Sequence, residues 1–336
     1  MGLDAPRFHI RGSSCGLNDP NGPFYDQIHG LYHMFWQSHE TMLHNASSGN
    51  GTVCGGPVWA HAVSQNLSHW TRLPVALWND RWFDLVAVYS GSVTVVNGTP
   101  VIIYPGICDK SHPLCPKSWG VTLAAAVPAN ASDPFYEEWE KRPPNGSPSD
   151  NPLAIGNEPF KDPSTAWNTT HGDWRLTTAG GDLFASSDFR VWTKLAAPKG
   201  SKSFFHGGEC PSFFKLPKLV PGREPAAKGM TLPTHVFKYS SDGSRDFVQL
   251  GTYDDQGPSA NSTGTWTPLG EPRVVDNGAF YAGKDFEAPG GRRILYGWAR
   301  VPGILSLARE LTYDPILRQM CYNPVPLRTI CIACVR

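Results

Sequence analysis

Three carboxylates carry the chemistry this chain offers. Asp19 lies in LNDPNG, Asp162 in FKDPSTAW and Glu209 in GGECPSFF. Proline follows each at once or one residue later, and the neighbours are aromatic or small rather than charged. Surface acids ordinarily sit in charged, solvated stretches. Acids in apolar, turn-forming frames stand where environment can drive their pKa values apart. Glycoside hydrolysis needs that arrangement: one ionised carboxylate as nucleophile and one carboxylic acid kept protonated to release the leaving group. Taken alone, GLNDPNGPFYD (Gly16 to Asp26) reads as a tight surface turn, because Pro fixes φ while Gly and Asn tolerate positive φ.

The elements that must hold such acids are short strands. Runs rich in aromatic and β-branched residues recur as GLYHMFWQ, VYSGSVTVV, TPVIIYPG, DWRLTTAG, THVFKYS, DFVQLGTYD and RRILYGWAR, punctuated by Gly, Pro, Asn and Asp clusters. The 34 Gly and 31 Pro make up about a fifth of the 336 residues, and 12 Trp supply aromatics to spare. PFYEEWEKR is the nearest approach to an amphipathic helix and is short. A sandwich of seven to nine strands fills only roughly 100 residues. An all-β propeller, with four-stranded blades around a channel, uses this length better. Loops are expected at SHETMLHNASSGNGTVCGG, KRPPNGSPSDNP and KLPKLVPGREPAAKG, and the strand pattern fades after ARELTYDP.

LNDPNGP, FKDPS and ECP resemble the three acidic motifs of glycoside hydrolase family 32, the invertases, fructan hydrolases and fructosyltransferases. GLYHMFWQ, WAHAVSQNLSHW, YSGS and FYAGKDF with RRILYGWA are similar to further segments of that family in the same order, so the likeness runs from about Arg7 to about Asp314. The resemblance implies a five-bladed β-propeller over 1–314, with the β-sandwich that usually follows missing or cut off and 315–336 left as a tail. It implies Asp19 as nucleophile on the anomeric carbon of a fructosyl unit, Glu209 as acid and then base, and Asp162 as a transition-state stabiliser gripping sugar hydroxyls. The family retains configuration, which sets the two reacting carboxyls about 5–5.5 Å apart. By the same resemblance Asn18 and Gln37 hydrogen-bond the fructose, Tyr89 and Ser90 line its pocket, and Lys161 stands where the family has Arg. Trp298 offers a ring face or an indole N–H, although a buried aromatic serves as readily as core. Sucrose or a fructo-oligosaccharide is the implied substrate, with no cofactor and no metal.

Several positions depart from the family pattern. Gly16 replaces an aromatic wall two residues before the Asn-Asp-Pro. Lys161 offers a point charge where Arg offers a planar fork of donors. Ser212 replaces an Asp, and the polar insert after Gln37 replaces a Trp-bearing loop. Tyr89 in place of Trp leans toward fructosyl transfer, which shares the covalent intermediate and differs only in whether sugar or water attacks it. A degenerate carbohydrate-binding propeller is the non-enzymatic alternative.

The rest of the sequence removes other classes. Net charge is zero with no Lys/Arg run, so the footprint of a nucleic-acid binder is missing. VTLAAAVPA is far shorter than the roughly 20 apolar residues that span a bilayer, so no membrane partner is expected. His39, Glu40 and His44 in SHETMLH have the wrong spacing for one zinc-binding helix face. No G-x-S-x-G elbow, P-loop or dinucleotide fingerprint is found. A secreted or vacuolar location is expected from the sequons at Asn45, Asn66, Asn97, Asn130, Asn145, Asn168 and Asn261, though MGLDAPRFHI shows no signal peptide and Pro148 weakens the Asn145 triplet. Cys108 and Cys115 flank DKSHPL, a loop that a disulfide could close in an oxidising compartment, whereas CIAC (331–334) has no companion pair.

Overall fold

Along the strand Thr99–Ile107 successive side chains leave by opposite faces: Val101 and Ile103 enter one apolar cluster, Ile102 and Tyr104 another. Its neighbour Val121–Pro128 repeats this, with Leu123, Ala125 and Val127 on one side and Ala124 and Ala126 on the other. A sheet apolar on both faces must be covered twice. Arranging such sheets around an axis satisfies every face at once.

The computed structural model describes residues 9–325 except 13–14, 42–53, 118–119, 156–159, 225–230, 242, 256–262 and 301–302. Five antiparallel sheets follow one another in chain order as the blades of a β-propeller. The first consists of Leu17–Asp26, Leu31–Thr41, Cys54–Ser64 and Thr71–Leu77. The second is built on Ser92–Val96, Thr99–Ile107 and Val121–Pro128, edged by two-residue strands. Trp167–Asn168, Trp174–Thr177, Leu183–Ser186 and Thr193–Lys194 form the third. Glu209–Lys215, His235–Ser241, Arg245–Asp254 and Thr265–Pro268 form the fourth. The fifth runs Tyr281–Ala288, Arg292–Ala299, Arg309–Asp314 and Gln319–Pro324. PFYEEWEKR forms no helix, and the one helix among the described residues is the three-residue turn Pro148–Asp150.

One apolar core fills each junction between blades. Leu17, Met34 and Trp36 meet Phe286, Ile294 and Tyr296 between the first and fifth; Phe35 and Trp59 meet Ile102 and Tyr104 between the first and second. Phe184 packs on Ile103, Phe205 on Phe237, and Leu311 on Val236 around the rest of the ring. The ring is tied shut by the N-terminal segment, where Ile10 C=O accepts from Leu305 N–H at 2.9 Å and Arg11 bridges Ile304. Phe35 is fully buried and stacks on His61 at 4.3 Å. Phe35→Ala should therefore cost about 3–5 kcal/mol, read as a lower urea midpoint with an unchanged m value.

Two sequence expectations need amendment. The fifth blade does not stop at Asp314: Gln319–Pro324 pairs with Arg309–Asp314 as its outer strand. That strand, QMCYNP, is an edge with little apolar alternation, so its pattern is faint. The polar insert after Gln37 is also partly strand, since Ser38 pairs with Val58 and His39 with Pro57. Cys108 and Cys115 are disulfide-bonded, as expected. The sequons at Asn45 and Asn261 and the CIAC stretch lie outside the described residues.

Candidate active site

The inner strands of the first, fourth and fifth blades slip register in the same way near their starts. Leu17 and Pro20 face Ser38 and Trp36, Glu209 and Ser212 face Ser240 and Lys238, and Tyr281 and Lys284 face Trp298 and Tyr296. Each slip is a β-bulge, which bends a strand and re-aims a side chain. The bulges fall at Asn18–Asp19, Cys210–Pro211 and Ala282–Gly283. Pro20 and Pro211 suit them because proline cannot serve a regular ladder. Asp162, Cys210 and Ala282 have φ of 54°, 45° and 54°, a region non-glycine residues seldom enter. The turn-like look of GLNDPNGPFYD is thus the mark of a bulge inside a propeller strand, and the stretch is no surface turn.

Cys210 ties the three acids together. Its Sγ donates to Asp19 Oδ2 at 3.5 Å, its N–H donates to Asp162 Oδ2 at 3.1 Å, and Glu209 precedes it in the chain. Ser90 Oγ also donates to Asp19 Oδ2, at 2.6 Å. Glu209 accepts from the Lys161 ammonium on one oxygen and from the Tyr281 hydroxyl on the other. Asp162 is buried, whereas Lys161 and Glu209 stand open at the mouth, with side chains 46% and 44% exposed.

The other residues singled out from sequence group around this cluster. Asn18 shares the bulge with Asp19, and Gln37 lies opposite that bulge on the next strand. Ser90 is engaged in holding Asp19, while Tyr89 is fixed by its backbone, donating to Pro105 C=O at 2.9 Å and accepting from the Trp59 indole at 3.1 Å. Trp298 pairs with Tyr281 across the fifth blade and packs on Cys210 and Ala282, and its buried Nε1 finds no hydrogen-bond partner among the described residues. Gly16 has φ of 108°, and a Cβ there would meet no atom within 4 Å, so space is open where the family has an aromatic wall. Ser212 instead lines a cavity of about 790 Å³ beside Phe213, Asp285 and Arg293.

Charge in the unliganded site is distributed unevenly. Burial pushes the Asp19 carboxyl up to about 6, with the negative Asp162 adding to the rise and the Ser90 hydrogen bond opposing it. Burial also raises Asp162, opposed by Lys161, the Cys210 N–H and Lys284. Glu209 is shifted below its ordinary range, because the Lys161 and Tyr281 hydrogen bonds and the Lys161 charge outweigh its desolvation. Burial and Glu209 push the Tyr281 hydroxyl well up, so it stays a proton donor.

Sequence reasoning passed over Tyr281, Cys210, Lys238 and Lys284 as individual site residues. A signal existed for the lysines: HVFKYS and FYAGKDF each carry one Lys inside an otherwise apolar strand. Both are buried, and Lys238 donates to the carbonyls of Cys210 and Gly283 at 2.7 and 2.5 Å, pinning two of the bulges.

Fold and cluster together define a five-bladed propeller with a carboxylate group gathered at its inner strands. The chain belongs to glycosyl hydrolases family 32, whose N-terminal-domain model matches residues 9–313. It is 33% identical over 357 residues to an insoluble beta-fructofuranosidase isoenzyme of Arabidopsis thaliana, covering 96% of this chain and 55% of that protein. It is 34% identical over 350 residues to insoluble isoenzyme 1 of Daucus carota, with coverages of 95% and 55%. The chain thus spans about half the length of the curated relatives it matches. Among solved structures, fructan 1-exohydrolase IIa of Cichorium intybus, in complex with 1-kestose, superposes with a TM-score of 0.70 at 29% identity, covering 95% of this chain and 60% of that one.

Proposed function

We propose that this chain cleaves β-fructofuranosidic bonds of sucrose or fructans with retention, through a covalent fructosyl-enzyme. The observation that carries this reading is the joining of Asp19, Asp162 and Glu209, distant in sequence, through Cys210. Asp19 attacks the anomeric carbon while Glu209 protonates the leaving oxygen; Glu209 then deprotonates the water that releases fructose. Asp162 takes up sugar hydroxyls, and Asn18, Gln37, Tyr89, Lys161 and Trp298 supply the remaining contacts. Ser90 orients the nucleophile. The propeller (the fifth blade included to Pro324) is the unit that carries this chemistry. A secreted or vacuolar setting is supported by the Cys108–Cys115 disulfide and by relatives named insoluble and cell-wall isoenzymes.

Productive chemistry needs Asp19 ionised and Glu209 protonated. The chain's own groups favour the reverse, since Asp19 is raised and Glu209 lowered. A sugar hydroxyl that draws the Lys161 ammonium away from Glu209 removes the charge that depresses this acid. With Glu209 the lower-titrating of the pair, it sets the acid limb of the kcat/KM profile and Asp19 the basic limb, so Lys161→Gln should raise the acid limb by about one pH unit. An acid limb left at its wild-type position would mean that Lys161 does not set the acid. The function itself is tested by fructose release from sucrose, raffinose, inulin and levan: a pure binder releases none. Transfer products that grow with sucrose concentration would shift the reading to a fructosyltransferase.

A further inference from the structure

Lys284 is the first residue after the Ala282–Gly283 bulge and is 2% exposed. Its ammonium donates to Ser92 Oγ at 3.1 Å and to Pro163 C=O at 3.5 Å, and Ser92 Oγ donates to the same carbonyl at 2.8 Å. Both partners adjoin the acids: Ser92 lies two residues from Ser90, which holds Asp19, and Pro163 follows Asp162 directly. One side chain therefore joins the second, third and fifth blades beneath the cluster. A buried ammonium needs a counter-charge. Lys238, the other buried lysine at the cluster, has one in Asp246 at 3.5 Å. Lys284 makes no direct ion pair among the described residues, and the carboxylates whose fields reach it are Asp162 and Asp19.

We propose that Lys284 is the shared counter-charge of Asp19 and Asp162, a positioning residue that lets two carboxylates carry charge together in one site. Among the described residues, the other charged or titratable groups facing Asp19 are accounted for. Ser90 and Cys210 contact it from the second and fourth blades, Asp162 opposes it from the third, and Tyr281 of the fifth is bound to Glu209. Lys161 is paired with Glu209. Lys284 thus supplies the cation next to Asp19, and burial lowers its own proton affinity.

The kinetic test rests on the proposed fructoside cleavage; a second readout does not. In Lys284→Gln an amide can still donate to Ser92 and Pro163 while the charge is gone. The basic limb of kcat/KM, which the higher-titrating Asp19 sets, should move up by about one pH unit, with Lys284→Arg returning it to the wild-type position. A purely structural role would lower activity at all pH values and leave the limb in place, which overturns the proposal. The titration of the Asp19 carboxyl, followed by its 13C shift in wild type and Lys284→Gln, gives the same answer without turnover. Should wild type release no fructose, the enzymatic reading fails, and the Asp19 titration alone decides: an upward shift in the variant upholds the proposal, an unchanged one refutes it. Should Lys284→Gln not fold, Lys284→Met carries both measurements.

Discussion

Asp19→Asn is expected to lower kcat for fructose release by on the order of 10⁴-fold or more, and to leave the protein at least as stable at pH 7. The first half follows from covalent chemistry: an amide of the same shape cannot form the ester bond to the anomeric carbon, so the two-step path closes. The second half follows from the electrostatics of the empty site. Folding raises the Asp19 carboxyl from its ordinary value to about 6, because its charged form is desolvated and faces Asp162. A carboxyl raised on folding weakens the native state wherever it is ionised, fully above the folded value and not at all below the unfolded one. Replacing it by a neutral amide should raise Tm at pH 7–8, with the gain fading between about pH 6 and pH 4. A structural aspartate predicts the opposite pairing, retained turnover with a lower Tm. Steady-state kinetics on sucrose and melting curves at three pH values separate the two. Unchanged turnover in the variant would refute the nucleophile assignment.

The strand-rich class of this fold was legible because both faces of a blade are buried, which makes runs such as TPVIIYPG nearly continuous in apolar residues; VTLAAAVP, read only as too short to span a bilayer, is such a strand as well. Blade number was not legible from periodicity. The third blade has strands of only two to four residues, and DWRLTTAG alone among them stood out as a strand run. It came instead from the resemblance carried by the acidic motifs. The acids themselves were visible through their proline-bearing frames, which for Asp19 and Glu209 arise from the bulges of their strands. Lys284 and Lys238 were missed for a different reason. Their chemistry lies in what separate blades bring near each ammonium, three blades for Lys284 and two for Lys238, and local spacing encodes none of that. The outer strand Gln319–Pro324 was missed because an exposed edge needs little apolar pattern.

Glu209→Gln should separate binding from chemistry. The side chain is half-exposed at the mouth and its partners are Lys161 and Tyr281, so loss of its charge leaves no buried ion unpaired. The Gln carbonyl still accepts from the Tyr281 hydroxyl, and the released Lys161 ammonium, itself 46% exposed, is met by water. The fold and the sugar contacts of Asn18, Gln37 and Asp162 are therefore expected to persist, and calorimetry should find sucrose binding within a few-fold of wild type. Turnover should fall by about 10²–10⁴-fold, the usual contribution of a placed acid–base group. The deficit should shrink for a fructoside whose leaving group is an acidic phenol, because that oxygen departs without a proton in the first step. Release of fructose from the enzyme still needs the base, so such a substrate should give a burst followed by slow turnover. A deficit equal for sucrose and for the activated fructoside, with no burst, would place the proton donor elsewhere. Tyr281 would then be the group to examine, since its hydroxyl is the proton donor already in contact with Glu209.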